Sequence, residues 1–249
     1  MNILIDLDQS ASTATDTDQT DAVYVRLRKA ILNGNVPVGQ PVSQVKLAKE
    51  LGVSRTPLRE ALRMLQSEGL IESEHNRRIV VRELKVSELD QIYGMRITLE
   101  TLAARITIQQ VDDAILQRMT RLLQIMSEKL PFSNNDDYDS YESHHRAFHH
   151  EIISRSGDRL VKTIGELHDH ADRYRRYYYM QGLFKPLDIR GEHAALLDAC
   201  VKRDPDLLAA RLARHYAVTV LGLIARLEPT YDPAATRTAA RQAASDIAS

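Results

Sequence analysis

The chain has 249 residues, is 43% hydrophobic and 27% charged, and carries a formal net charge of −1. That composition suits one large globular domain or two ordinary ones with a real core. No apolar run approaches the ~18–20 residues of a membrane helix, and a single cysteine, Cys200, excludes an internal disulfide and suits a reducing cytoplasm.

Residues 1–20 are polar and rich in Thr and Asp, and are expected to be disordered. Their acidic start lacks the basic region of a signal peptide, so export is not expected. Helical periodicity begins near Asp21, with Tyr24, Leu27 and Ile31 on one face, and Asn33-Gly34 stops it. "VPVGQPVS" reads as a loop. Ser43 can cap a short helix that ends at Gly52, and Ser54 can cap a helix running to about Glu68, with Gly69 at its C-terminal side. "LIES" and "IVVR" then read as two short strands around the polar tip "EHNR". From Val86 onward the pattern is helical, in segments 87–108, 111–129, 137–155, 158–181, 187–202 and 205–227. Six such helices fit an antiparallel bundle. Residues 229–249, Ala-, Thr- and Arg-rich after two prolines, read as a tail with at most a short helix.

Charge is unevenly placed. Residues 22–82 hold eleven Lys and Arg against five Asp and Glu. A basic end on a neutral chain suggests a nucleic-acid module, although a solvated charged face would look the same. The order helix, short helix, tight turn, helix and two-stranded wing is the winged helix-turn-helix plan. In the third helix Leu58, Leu62 and Leu65 form an inward face, while Arg55, Arg59 and Arg63 form another stripe at i+4 steps. A helix in the major groove needs such an apolar back and a basic, hydrogen-bonding front. Ser54 and Thr56 stand at its N-terminus, where exposed N–H groups favour a phosphate.

"KLAKELGVSRTPLREALRMLQSEGLI" resembles the DNA-binding signature of GntR-type bacterial transcription regulators, over roughly residues 24–82. The resemblance implies that Arg55, Thr56 and Arg59 contact an operator, supported by Ser54 and Arg63. It also implies that the wing tip, with His75, Arg77 and Arg78, reaches the minor groove. Two positions depart from the pattern: Val45 stands where an Arg is usual, and the wing lacks a Gly near Arg78.

Four of the nine histidines fall within residues 144–150. On a helix His145 and His149 share a face, and His144 and His150 do not. Two imidazoles at i, i+4 make half of a transition-metal site. His193 and His215, each on a later helix, could complete it at a meeting point of three helices. Exposed histidines on solvated faces are the alternative.

The helical half resembles the FadR-type ligand-binding domain called FCD, through "RITLETLAARI", "HRAFHHEIISRSGDRLV" and "EHAALLDACVKRDPDLLAARLARH". The resemblance implies a divalent metal held by His145, His149, His193 and His215, with His145 where an Asp is usual. Four imidazoles with no negative charge suit Zn or Ni. It also implies that Arg96 grips an effector carboxylate as a bidentate fork. An i, i+4 salt bridge to Glu100 is the other reading of that residue.

The expectation is therefore a mostly α protein. Residues 21–82 form a winged helix-turn-helix, and residues 83–228 form an all-α bundle for effector binding and dimerisation. Its function would be a cytoplasmic, homodimeric transcription regulator, acting as a repressor on a near-palindromic operator. Its effector would be a small carboxylate sensed through the metal; the metal as the signal itself is the alternative. No enzyme is expected, because neither Glu151 nor Glu192 stands at a hydrolase spacing from the histidines, and no membrane partner is expected.

Overall fold

The computed structural model describes residues 16–74, 78–132, 135–180, 182 and 189–245. Contacts divide the chain into two units, one of residues up to Leu84 with Asp172–Tyr178, the other of Lys85–Ala171 with the residues from Tyr179.

The first unit contains α1 (Asp16–Leu32), β1 (Pro41–Ser43), α2 (Gln44–Leu51), α3 (Arg55–Ser67), β2 (Ile71–Glu74) and β3 (Arg78–Val81). Its core is a small set of aliphatic side chains: Val23, Leu27 and Ile31 from α1, Leu47 and Leu51 from α2, Leu58, Leu62 and Leu65 from α3, and Ile71, Ile79 and Val81 from the strands. Tyr24 is only half-buried and donates its hydroxyl to Glu68. Burial, then that carboxylate, pushes its pKa up to about 12. Ser43 caps α2 by accepting from the Lys46 amide at 3.5 Å. Gly52 ends α2 at φ +67°, a left-handed conformation that side chains resist.

The wing differs from the expected hairpin. It is a three-stranded antiparallel sheet of order β1-β3-β2, with Val42 opposite Ile79 and Ile71 opposite Val81. The extra strand comes from "PVS", read in sequence as loop. Three residues are too few for an alternating pattern to stand out, and a proline opening an edge strand sacrifices no ladder bond. Burial of Val42 against the shared core holds it there.

The second unit contains α4 (Val86–Ile108), α5 (Asp113–Glu128), α6 (Asn135–Ile153), α7 (Asp158–Met180, apart from Asp172–Tyr178, which group with the first unit), α8 (Ile189–Lys202), α9 (Pro205–Leu227) and α10 (Ala234–Ser245). Asp112 and Asp204 cap α5 and α9 through their carboxylates. α4 packs against α6, α9 and α10, α8 against α5 and α9, and α5 against α6. α9 is long and apolar enough to cross a membrane by length and composition, but half of that stretch is buried, as befits a core helix. Leu208, Leu212, Tyr216, Val220 and Leu223 are its buried side.

At the N-terminal end residues 16–20 belong to α1, and residues 1–15, expected to be disordered, lie outside the described residues. At the other end the short helix allowed for residues 229–249 is α10, residues 234–245, which buries Ala239 and Ala243. α10 is anchored to α4. The buried carboxylate of Asp90 accepts from the Thr236 amide at 2.9 Å and the Ala235 amide at 3.1 Å. Gly94, one turn on, allows the approach, since a Cβ there would meet Ala235 at 3.0 Å.

Candidate nucleic-acid interface and candidate metal centre

α3 carries the candidate DNA-contacting residues. Leu58, Ala61, Leu62 and Leu65 fix its back into the core, so Arg55, Thr56, Arg59 and Arg63 are left in solvent, with Ser54 exposed just before them. Ser54 makes no side-chain cap bond, so the first amides of α3 point outward beside two arginines. That is an anion-binding arrangement. Arg63 is turned aside to Glu60 at 2.8 Å. Arg55, Thr56 and Arg59 line one cleft of about 440 Å³ with Gln44 and Val45 at the start of α2. Gln44 was not singled out from sequence, where one polar residue at a helix start carries no distinct signal. Val45 is half-exposed there and offers only apolar contact. Arg78 is exposed at the start of β3, in register with Glu74 and Ser43. His75 and Arg77 lie outside the described residues.

The second site is in the helical unit. α6 contributes His145 and His149, α8 His193 and α9 His215, and all four are buried. One ring nitrogen from each lies within 4.8 Å of the others. His149 Nε2 and His193 Nε2 are 3.3 Å apart. His144 instead faces the Ser140 carbonyl at 2.6 Å, and His150 is exposed.

The tautomer of His149 follows from its neighbours. Tyr216 has one hydroxyl proton and donates it to the Glu100 carboxylate. Its contact with His149 Nδ1 at 2.9 Å therefore has the imidazole as donor, which leaves Nε2 with its lone pair toward the cluster. A ligating histidine is held in this way by an outer hydrogen bond. Burial, then the nearby imidazoles of His145, His215, His193 and His168, holds His149 well below its ordinary pKa of 6.5. Four buried imidazoles are a donor set for a borderline divalent cation, and this cluster can hold a metal ion.

A depressed histidine pKa stabilises the fold above the unfolded value, because only the unfolded chain takes the proton just below it. Metal-stripped protein is therefore expected to melt at a constant temperature above pH 7 and progressively lower as pH falls below 6.5. Calorimetry across that range checks it.

Arg96 is wholly buried on α4. Its Nε donates to Glu100 Oε1 at 2.7 Å, Nη2 meets His168 Nδ1 at 3.3 Å, and its guanidinium carbon lies 4.4 Å from the Tyr216 ring centre. The i, i+4 salt bridge thus forms. It joins Arg96, Glu100, Tyr216 and His149 into one hydrogen-bonded chain ending at the cluster. Sequence reasoning missed Tyr216, His168 and Glu142. No local pattern marks Tyr216 and His168, because the partners are 116 residues apart for Tyr216 and Glu100 and 72 for Arg96 and His168; Glu142 stands three residues before His145, and that i, i+3 spacing could have marked it.

Two family models match the chain: "Bacterial regulatory proteins, gntR family" over residues 19–81 and "FCD domain" over residues 91–218. The chain is 27% identical over 193 residues to the uncharacterized HTH-type transcriptional regulator YdhC of Bacillus subtilis (strain 168), covering 78% of this chain and 85% of that one. It is 33% identical over 135 residues to the gluconate operon transcriptional repressor of Bacillus licheniformis, covering 54% of this chain and 53% of that protein. Among solved structures, a GntR family member from Pseudomonas syringae pv. tomato str. DC3000 is 26% identical with a TM-score of 0.50, over 88% of this chain and 90% of that one. E. coli McbR/YncC shares the fold at a TM-score of 0.70 and 23% identity, over 87% of this chain and all of the other.

Proposed function

The chain belongs to the GntR family of bacterial regulatory proteins and carries an FCD domain, and from that premise we propose that it is a cytoplasmic, dimeric repressor that senses a small organic acid through a metal on the four histidines. It is a DNA-binding transcription regulator, not an enzyme. The observation that carries the sensing part is the buried four-imidazole cluster joined to Arg96 through Tyr216 and Glu100.

Zn or Ni suits four imidazoles. When bound, the metal supplies a Lewis-acidic point for a carboxylate. His145, His149, His193 and His215 would hold it, and Tyr216 fixes the His149 ring. An effector carboxylate pairing with Arg96 shares the guanidinium charge with Glu100 and loosens that pair. The change passes through Tyr216 to His149, which gives effector and metal a physical means of coupling. Coupling of such a site to operator affinity is typically ~1–3 kcal/mol, or roughly 5- to 150-fold. Support for an acid effector comes from two relatives named as gluconate operon repressors. Mobility shifts on metal-loaded protein with gluconate and other small carboxylates test the reading. Release of DNA by one of them supports it, and indifference to all of them counts against an acid.

The metal itself as signal is the second reading. Four histidines complete a tetrahedral site without any effector. Operator binding that tracks Zn or Ni with no acid present would favour it.

The dimer is proposed to form across α4. Its exposed positions include Gln91, Met95, Thr98, Leu102 and Ile106, none of them charged. A twofold interface brings a face against itself, so such a stripe suits a second copy. Leu102→Glu, at a position 50% exposed, is expected to convert dimer to monomer with helicity retained. Light scattering after size exclusion checks it.

A further inference from the structure

One carboxylate beside the histidine cluster has no role in the reading above. Glu142 stands on α6 one turn before His145, and its Oε2 lies 3.7 Å from His145 Nδ1, with the two side chains only 14% and 6% exposed. That distance is an electrostatic contact, not a hydrogen bond. We propose that Glu142 is the charge partner of the metal centre, acting through His145. The proposal rests on the reading that the four histidines hold a metal.

The argument begins with charge. A divalent ion on four neutral imidazoles leaves a net +2 among buried side chains. Glu100, which reaches the cluster through Tyr216, is paired with the cation of Arg96 and adds no net charge. Glu142 adds one negative charge at the edge of the cluster.

Proton geometry points the same way. An imidazole that ligates through one nitrogen keeps its proton on the other, and the metal makes that N–H a stronger donor. An outer carboxylate is the partner such a donor takes, and it raises the basicity of the ligand. His149 reaches Glu100 through Tyr216. His145 faces Glu142 directly. The two α6 histidines would then each have a carboxylate behind them.

Glu142, His145 and His168 also place ligand atoms within 4.8 Å of one another, so a three-ligand site using Glu142 directly is the rival. His168 argues against it. Arg96 Nη2 faces His168 Nδ1 at 3.3 Å, and a guanidinium only donates. Nδ1 is thus the acceptor and the ring proton sits on Nε2. While Arg96 stands there, neither nitrogen offers a lone pair to a metal.

Cobalt(II) titration of the full chain, read by absorption and by competition with a chelator, tests the proposal. Glu142→Gln, Glu142→Asp and His168→Gln are compared with the wild type, with thermal melts of the metal-free proteins beside them. Glu142→Gln is expected to weaken cobalt binding roughly 10- to 100-fold with an unchanged absorption spectrum. Glu142→Asp should recover part of the loss, and His168→Gln should bind as the wild type does. Undiminished affinity in Glu142→Gln overturns the proposal. So does an altered spectrum in that variant, which would make Glu142 a direct ligand, or loss of binding in His168→Gln. Wild-type protein that takes up neither cobalt nor zinc removes the four-histidine reading itself, a separate result.

Discussion

Arg55→Ala is expected to lower operator affinity roughly 5- to 150-fold, the equivalent of ~1–3 kcal/mol for one bidentate base contact. Arg55 opens α3, is exposed, and lines the cleft with Thr56 and Arg59. Its side chain has no part in the core, so thermal stability should stay within about 0.5 kcal/mol of the wild type. The measurement is a mobility shift on a duplex selected from random sequence by the wild-type protein. Comparison with a scrambled duplex decides the kind of contact. If Arg55 reads a base, discrimination between the two falls with affinity. If it contacts phosphate, both duplexes weaken alike and the salt dependence flattens. Unchanged binding would remove α3 as the reading helix.

The second large effect is expected at His149. It is central to the cluster, 3.3 Å from His193 and tied to Tyr216. His149→Ala removes a proposed ligand and leaves the Tyr216 hydroxyl without its donor. Wild-type protein at a metal concentration 100-fold above Kd gains ~2.7 kcal/mol by linkage. For a chain of this size that raises the melting temperature by roughly 5–10 °C. His149→Ala is expected to lose the whole of that shift while its metal-free form still folds. Thermal melts with and without added zinc, paired with elemental analysis, check it. A metal-dependent shift that survives in His149→Ala would place the ion elsewhere. His150→Ala is the control, since that ring is exposed one position away and should change nothing.

Much of the DNA-binding unit is legible because its signals are local. Ser43 caps α2 three residues on, Gly52 closes it, and the leucines of α3 repeat at helical spacing. These interactions span a few residues, so the order of types along the chain already states them. β1 is the exception. Three residues leave no periodicity, and the strand exists because β3 supplies its partners some 37 residues away. The docking of α10 was illegible for a related reason. An Ala-rich segment carries little hydrophobic contrast, and its place depends on Asp90, 146 residues earlier.

The histidine cluster divides along the same line. By itself the sequence determined that His145 and His149 share a face, since i, i+4 spacing on a helix requires it. It also determined the basic stripe of α3 and the six main helices, through periodicity alone. Tertiary structure decided the rest: that α8 and α9 bring His193 and His215 to that face, that His168 meets Arg96, and that Tyr216 orients His149. Helical geometry relates residues three or four apart. Contacts across 44, 67 or 116 positions depend on which helix faces pack together. Burial of apolar surface over the whole bundle selects that packing, and no short pattern records it.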